Sequence, residues 1–209
     1  ERAGIEIKTS DIPVHHYGRF DKDKLIKKGR EYFLLGMRKL KEMEGDIQAL
    51  KELAVQASEL GEYEAGVELW KKVIELAPNN AEAFLNISYA YLKLEKYQEA
   101  LISSRRALGL EPALKEAALN YAGSELIAGD ISKTISILET LLQKDPDYPP
   151  AMALVAAAYY VSGQKESGLA LFEKLRKMGF DCTEFLDEQY RGVISQGKLE
   201  QAVSLLEAA

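Results

Sequence analysis

Histidine, cysteine and long apolar runs are what this chain has least of. Its 209 residues include two histidines and a single cysteine, Cys182, so no disulfide can form within the chain. A fold without a covalent staple suits a reducing compartment, and we predict a cytoplasmic protein. The longest uninterrupted apolar run, residues 151–161, is far shorter than the roughly 20 residues that a membrane helix needs. The sequence therefore predicts no membrane association.

Motifs that carry chemistry are scarce as well. The chain has no glycine-rich phosphate-binding loop of the Walker type, and no histidine follows His16 to activate a nucleophile. Cys182 has no histidine near it in sequence, so we interpret it as a bystander thiol rather than a nucleophile. The net charge of −6 argues against general nucleic-acid binding. We predict that this chain is not itself an enzyme and binds no cofactor.

What the sequence does contain is a repeat of 34 residues. Pro78, Pro112 and Pro146 follow one another at that interval. In one phase, without insertions, it divides the chain into blocks 47–80, 81–114, 115–148, 149–182 and an incomplete 183–209. Small residues recur at two fixed places in the blocks: position 8 holds Ala54, Ser88, Ala122 and Ala156, and position 20 holds Gly66, Ala100, Thr134, Gly168 and Ala202. Position 15 holds glycine in every block except the second: Gly61, Glu95, Gly129, Gly163 and Gly197.

Each block has the pattern of two helices joined by a short turn. In the second block Ile87 and Tyr91 are spaced like one face of a helix, and Leu101 and Leu108 continue that spacing after a break. Glycine at position 15 suits the backbone of a tight turn, and small residues at positions 8 and 20 let the two helices approach closely. Proline at position 32 ends the second helix. The residues predicted to cap the next helices are Asn79, Asn80 and Asp147.

The pattern resembles the tetratricopeptide repeat (TPR), most closely in block 81–114. The signature places of that family are occupied there by Phe84, Ile87, Tyr91, Tyr97, Ala100, Ala107 and Pro112. The resemblance covers residues 47–209 and implies an all-α fold, a right-handed superhelical solenoid of helix-turn-helix repeats. It also implies that positions 2, 5, 6, 9, 12 and 13 of each block line a concave inner face.

These inner positions predict a groove that binds a peptide or a protein. Leucine and tyrosine on a solvent-facing surface are typical of an interface. Asn86 and Asn120 lie one repeat apart, where related arrays hold a peptide by its backbone, and asparagine offers both a donor and an acceptor. The alternative is that these residues bury one another or pack against the N-terminal segment. The residues expected in the groove are Leu85, Asn86, Tyr89, Lys93, Leu119, Asn120, Leu126, Ile127 and Tyr160.

A basic segment precedes the repeats. Residues 19–41 hold nine basic and three acidic side chains, and residues 21–46 are predicted to form a basic amphipathic helix that caps the first repeat. The basic side chains form either a solvated outer face or a site for an acidic partner. The apolar stripe of this helix consists of Leu25, Tyr32, Phe33, Met37, Leu40 and Met43.

Residues 1–20 resemble none of the repeats and are predicted to be an extended segment. The run Ile-Pro-Val-His-His-Tyr-Gly-Arg-Phe at residues 12–20 is followed by Asp-Lys-Asp-Lys and a basic helix that leads into the repeats. This arrangement is similar to the carboxyl end of family 2 glycosyltransferase catalytic domains, which often carry TPR-like repeats. That resemblance implies that His16 would lie near a bound metal and diphosphate if a catalytic domain preceded it. The carboxylate pair of such a site is not in this chain, and in the alternative interpretation His15 and His16 are exposed linker residues.

Together these patterns predict an interaction scaffold that forms the C-terminal module of a glycosyltransferase. The chain opens with Glu1 rather than methionine, as expected for a piece of a longer protein. The alternative is a free-standing TPR adaptor with no linked enzyme. The final helix presents an apolar face that no later helix in the sequence covers, which favours a homodimer through that end. This face consists of Ala202, Val203, Leu205 and Leu206.

Overall fold

The structure, a computed structural model, describes residues 22–40 and 45–186. Nine complete α-helices lie in these ranges, residues 182–186 are helical as well, and none of the described residues belongs to a β-strand, so the predicted all-α class is confirmed. The helices are α1 (Lys22–Leu40), α2 (Ile47–Glu59), α3 (Tyr63–Leu76), α4 (Ala81–Lys93), α5 (Tyr97–Leu110), α6 (Lys115–Ala128), α7 (Ile131–Lys144), α8 (Pro149–Val161) and α9 (Lys165–Lys177). The expectations for residues 1–20 with His16, for Met43 and for the C-terminal helix lie outside the described residues.

Four helix pairs follow α1 and stack in chain order. Helix α2 packs on α3, α4 on α5, α6 on α7, and α8 on α9. Each second helix also packs against the first helix of the next pair, and consecutive first helices touch one another. The described chain is therefore a continuous series of stacked helix pairs.

Residues at the block boundaries decide where the helices begin. The Asn80 side chain accepts a hydrogen bond from the Ala83 amide at 2.9 Å and caps α4. Helix α8 begins at Pro149, and proline is favourable there because the amide of the first helical residue makes no hydrogen bond within the helix. The predicted capping roles of Asn79 and Asp147 are wrong. Each lies one position before the capping residue, and each instead accepts a hydrogen bond from a side chain of the next pair.

Small side chains let the two helices of a pair approach closely. Every residue at positions 8 and 20 of the four described pairs is buried. The approach is tightest in the fourth pair, where a Cβ placed on Gly168 would lie 2.7 Å from the carbonyl oxygen of Ala156. The equivalent Cβ on Gly66 would lie 3.6 Å from the carbonyl oxygen of Ala54, which is an ordinary contact. The fourth pair therefore requires glycine, whereas the first has room for a methyl group.

We expect Gly168→Ala to lower the free energy of unfolding by about 1–3 kcal/mol, because the added methyl group forces backbone apart in a packed interface. Gly66→Ala is the matched control. It is expected to be neutral or stabilising by up to about 1 kcal/mol, since alanine is the better helix former. Urea unfolding followed by circular dichroism measures both variants, and equal values for the two would contradict the close approach at Gly168.

The turn inside each pair uses left-handed backbone. The φ angle is +74° at Gly61, +96° at Gly129 and +91° at Gly163. Glu95 occupies the same place in the second pair with φ +57°, the one positive φ among the non-glycine residues that the structure describes. In this region a Cβ crowds the following carbonyl oxygen, at a cost of about 1–2 kcal/mol. Glu95 is therefore a strained residue where the neighbouring repeats have glycine.

Glu95→Gly is expected to stabilise the protein by about 0.5–1 kcal/mol, because relief of the strained backbone exceeds the added entropy of glycine in the unfolded chain. The measurement is the midpoint of thermal unfolding, which should rise by a few degrees. Glu95→Ala serves as control because it removes the charge and keeps the Cβ. A glycine variant no more stable than the alanine variant would show that Glu95 is not strained.

The buried core runs through the whole stack. One cluster, which includes the fully buried Trp70, joins α1 to α4, and a second, which includes Phe172, extends from α4 through α9. Tyr91 on α4 packs against both clusters. The two are therefore one continuous core, as expected when each pair buries the apolar face of its neighbour.

Helix α1 covers the first pair with only part of its predicted apolar stripe. Phe33 is buried against α2, whereas Leu25 and Tyr32 are 52% and 56% exposed. For Leu25 the difference arises from where the two helices meet. A Cβ on Gly29 would lie 3.0 Å from Leu60, the residue that closes α2, so the first turn of α1 reaches beyond the end of that helix.

Candidate functional site

The nine predicted groove residues lie on the first helices of three consecutive pairs, and they divide into two groups. Those on α4 are partly exposed, and those on α6 and α8 are only 5–9% exposed. The partly exposed residues are Leu85, Asn86, Tyr89 and Lys93. The buried residues are Leu119, Asn120, Leu126, Ile127 and Tyr160. Solvent reaches the predicted groove at its α4 end.

Helices α6 and α8 differ from the solvent-facing helices that the repeat pattern predicts. Residues 117–127 of α6 and 151–158 of α8 are buried without a break, which is burial around the full circumference of each helix. Their apolar and small residues are spread around the helix rather than gathered in a stripe, as in interior helices. Helix α2 differs, since its inner residue Val55 is 41% exposed. We call the accessible part the open inner face: Val55, Leu85, Asn86, Tyr89 and Lys93.

The two asparagines that the sequence treats as equivalent do different things. Asn120 is buried, and its Nδ2 donates to the Ser88 hydroxyl on α4 at 3.0 Å. The Ser88 hydroxyl in turn donates to the Leu85 carbonyl at 2.6 Å. Asn86 is partly exposed, and its Nδ2 donates to the Glu82 carbonyl of its own helix at 2.9 Å. Asn120 therefore joins two repeats, and Asn86 remains on the accessible surface.

Asn120→Ala is expected to cost about 1–3 kcal/mol of unfolding free energy, because a buried hydrogen bond between repeats is lost. Asn86→Ala should change stability by less than about 0.5 kcal/mol, as is usual for a surface substitution. Chemical denaturation compares the two variants directly. If both cost the same, the structural role assigned to Asn120 is wrong.

Tyr63 borders the open inner face beside two of its members, Tyr89 and Lys93. The rings of Tyr63 on α3 and Tyr89 on α4 meet edge to face, with centroids 6.3 Å apart. The ammonium of Lys93 lies 5.4 Å from the centroid of the Tyr89 ring. Sequence reasoning missed Tyr63, because it lies on a second helix and its approach to α4 depends on how the pairs stack. The contacts hold Tyr89 in place as a large, partly exposed aromatic side chain.

Sequence reasoning also missed a charged cluster at the turn between α6 and α7. The carboxylate of Glu125 is buried and pairs with the ammonium of Lys133, which lies 5.0 Å from the centroid of the Tyr121 ring. The hydrogen bond to Glu125, and after it the one to Tyr121, raises the pKa of Lys133 above its usual value. Both charges are thus neutralised by each other, which is the arrangement expected of a structural contact.

The remaining candidate features are the Cys182 thiol, metal-binding clusters and membrane spans. Burial, and to a lesser extent the charge of Asp181, raises the pKa of the Cys182 thiol to about 11, which disfavours the reactive thiolate. In residues 22–40 and 45–186, no three histidine, cysteine, aspartate or glutamate side chains gather as a metal site would require. Among the helices of those ranges, none combines the length and apolar character needed to cross a membrane.

Comparison with known sequences identifies the repeat. Sequence models described as tetratricopeptide repeat or TPR repeat match residues 58–95, 81–114 and 125–187. Serine/threonine-protein phosphatase 5 of Rattus norvegicus is 30% identical over 107 residues, half of this chain and 21% of the phosphatase. Tetratricopeptide repeat protein 28 of Homo sapiens is 24% identical over 156 residues, 74% of this chain and 6% of that protein. The chain thus spans about a fifth or less of these relatives.

Solved structures share the arrangement of helices. MamA from Desulfovibrio magneticus aligns with a TM-score of 0.66 at 18% identity, over 76% of this chain and 96% of that one. A TPR protein from Parabacteroides merdae gives 0.66 at 20% identity, over 89% and 74%. YrrB, described as a TPR protein with an unusual peptide-binding site, gives 0.61 at 16% identity, over 84% and 87%. At these identities the likeness concerns the fold.

The stacked pairs and the matching sequence models define a helical-repeat protein of the protein–protein interaction class. Its repeat unit is a pair of helices with small residues where they cross and a left-handed turn between them. The chain is a tetratricopeptide repeat protein.

Proposed function

We propose that this chain is a protein-interaction module that binds an extended peptide segment of a partner along its open inner face. The observation that carries the proposal is the accessible strip of apolar and aromatic side chains that crosses two repeats. Val55 and Tyr89 occupy position 9 of consecutive repeats, and Leu85 lies one turn before Tyr89. Partly exposed leucine, valine and tyrosine supply the apolar contact area on which peptide recognition depends.

Asn86 adds a polar contact in the middle of this strip. One of its amide hydrogens is directed to the Glu82 carbonyl, and no hydrogen bond from the described residues reaches its side-chain oxygen. That oxygen is placed to accept from a peptide amide, and such a contact is insensitive to the partner's side chains. Apolar anchors together with a backbone acceptor favour an extended segment over a folded domain.

The contact between α4 and the buried helix α6 supports this role. The buried helix α6 packs against α4, and the Asn120–Ser88 hydrogen bond joins the two helices. A preformed surface loses less entropy when a partner binds, so more of the contact energy appears as affinity.

We infer an adaptor role in preference to a glycosyltransferase tail. The matching sequence models fall within the helical repeats, whereas the resemblance to a glycosyltransferase rests on the short run at residues 12–20 and on the Asp-Lys-Asp-Lys and basic helix that follow it. The Thermobaculum terrenum O-GlcNAc transferase structure aligns with a TM-score of 0.58 at 25% identity, but over only 26% of that chain. The absence of catalysis, the cytoplasmic location and a homodimer through the C-terminal helix stay predictions.

The test is binding of peptides selected from a phage-displayed random library on the purified chain. The double substitution Leu85→Ser and Tyr89→Ala should weaken binding of a selected peptide at least tenfold, about 1.4 kcal/mol, because it removes two anchors. Isothermal titration calorimetry gives the dissociation constants, and circular dichroism checks that the variant stays folded.

Ile102→Ser is the matched control. Ile102 is 60% exposed on α5, a second helix, so the variant also removes an exposed apolar side chain but leaves the open inner face unaltered. It should bind every selected peptide like the native chain. Full affinity in the Leu85/Tyr89 variant for all selected peptides would refute the proposed inner-face site.

A further inference from the structure

A second groove opens between the second and third helix pairs, away from the inner face. It encloses about 660 Å³ between the end of α5, the turn before α6, the first turn of α6, and α7. None of its lining residues occupies an inner-face position of the repeat. Its floor is apolar and consists of Leu108, Leu114, Ala118, Ile137 and Leu141.

The equivalent junctions on either side are crossed by a polar strap. Between the first and second pairs, Arg106 Nη2 donates to Asn79 Oδ1 at 3.2 Å. Between the third and fourth pairs, Lys174 Nζ donates to Asp147 Oδ1 at 3.2 Å. Both straps join position 26 of one repeat to position 33 of the repeat before it, 27 residues earlier in the chain. The long basic side chain thus reaches across each junction.

The strap is missing at the junction where the groove lies. The same two positions there are Thr140 and Ala113, which both line the groove. The Thr140 hydroxyl donates to the Ser136 carbonyl of its own helix at 2.8 Å, and an alanine has no polar atom to receive a strap. The apolar floor that a basic side chain would cross is therefore left accessible.

The rim of the groove carries positive charge. Lys115 pairs with Asp145 at 2.5 Å and lies 5.3 Å from the centroid of the Tyr148 ring. Lys144 is exposed one turn beyond Thr140, and no ion pair joins it to the described residues. The groove therefore combines an apolar floor with one cationic side chain that no described acidic residue pairs with.

The depth of the groove indicates the kind of ligand. Pro112, Ala113 and Thr140 are exposed, so the groove is open along its rim. A small-molecule pocket, in contrast, buries most of the surface of its ligand. A peptide lying across the junction, as the straps do elsewhere, fits an open groove of this kind.

We propose that this groove docks a short peptide segment of a partner protein. The segment inserts one or two apolar side chains onto the floor and places an aspartate or glutamate beside Lys144. The site is separate from the open inner face, so the chain offers two surfaces to its partners, one on each side of the α4–α7 region.

The test restores the strap. Ala113→Asp combined with Thr140→Lys recreates the aspartate–lysine pair that joins the third and fourth pairs, and it should fold normally because both changes are on the surface. A phage-displayed library of random 12-residue peptides is depleted on this variant and then selected on the native chain. We expect enriched peptides that combine leucine, isoleucine or phenylalanine with an acidic residue.

A synthetic peptide of the enriched sequence should bind the strap-restored variant at least tenfold more weakly than the native chain. Lys144→Glu should weaken binding several-fold, whereas Lys72→Glu, at an exposed lysine of α3, should leave it unchanged. Circular dichroism confirms that each variant is folded.

Two results would overturn the proposal. One is a selection that yields no peptide able to distinguish the native chain from the strap-restored variant. The other is a peptide that keeps its affinity for the strap-restored variant and loses it with Leu85→Ser and Tyr89→Ala, because such a peptide binds the open inner face. Since the two sets of variants share no residue, failure of one site is distinguishable from failure of the other.

Discussion

The close approach of two helices within each pair is the contact on which the rest of the structure depends. Small residues at positions 8 and 20 bring the backbones together, so a side chain at position 24 is enclosed whatever its size. Trp70, Leu138 and Phe172 fill that space in three pairs. In the second pair Ser104 does so, with its hydroxyl donating to the Ala100 carbonyl at 2.7 Å. Pairs of the same width can stack in register, and stacking buries the continuous core that one pair alone lacks.

A stack of uniform pairs presents the same positions to the same side, so its binding properties depend on which residues occupy them. Helices α6 and α8 are buried on all sides over residues 117–127 and 151–158, whereas α2 and α4 keep accessible side chains at the inner positions. Asn86 and Asn120 show the consequence. Asn86 faces solvent on α4, whereas Asn120, at the same position of the next repeat, hydrogen-bonds to α4 because it lies on the buried helix α6.

The fold could be predicted from the sequence because its determinants are local and repeated. The 34-residue spacing, the small residues where helices cross and the glycine turns each determine structure within a single repeat. Other features depend on neighbours far away in the chain. A ring partner of Tyr89 is a tyrosine on another pair's second helix, Asn120 meets Ser88 across 32 residues, and the exposure of Leu25 follows from where α1 extends past α2. The sequence also did not distinguish Asn80, which caps α4, from its neighbour Asn79, which does not.

Departures from the repeat are informative because the neighbouring repeats serve as internal references. Ala113 and Thr140 give up an exposed polar contact that in general is worth no more than about 1 kcal/mol, so little stability is lost. They also leave apolar surface accessible to water, which is unfavourable by about 25 cal/mol per Å² and has no compensating contact within the described chain. A departure that costs a little stability in one respect and more in another, and returns none to the fold, is accounted for by a contact with a partner. For that reason the junction between the second and third pairs, the one place where the strap is absent between described pairs, is where we place a second partner.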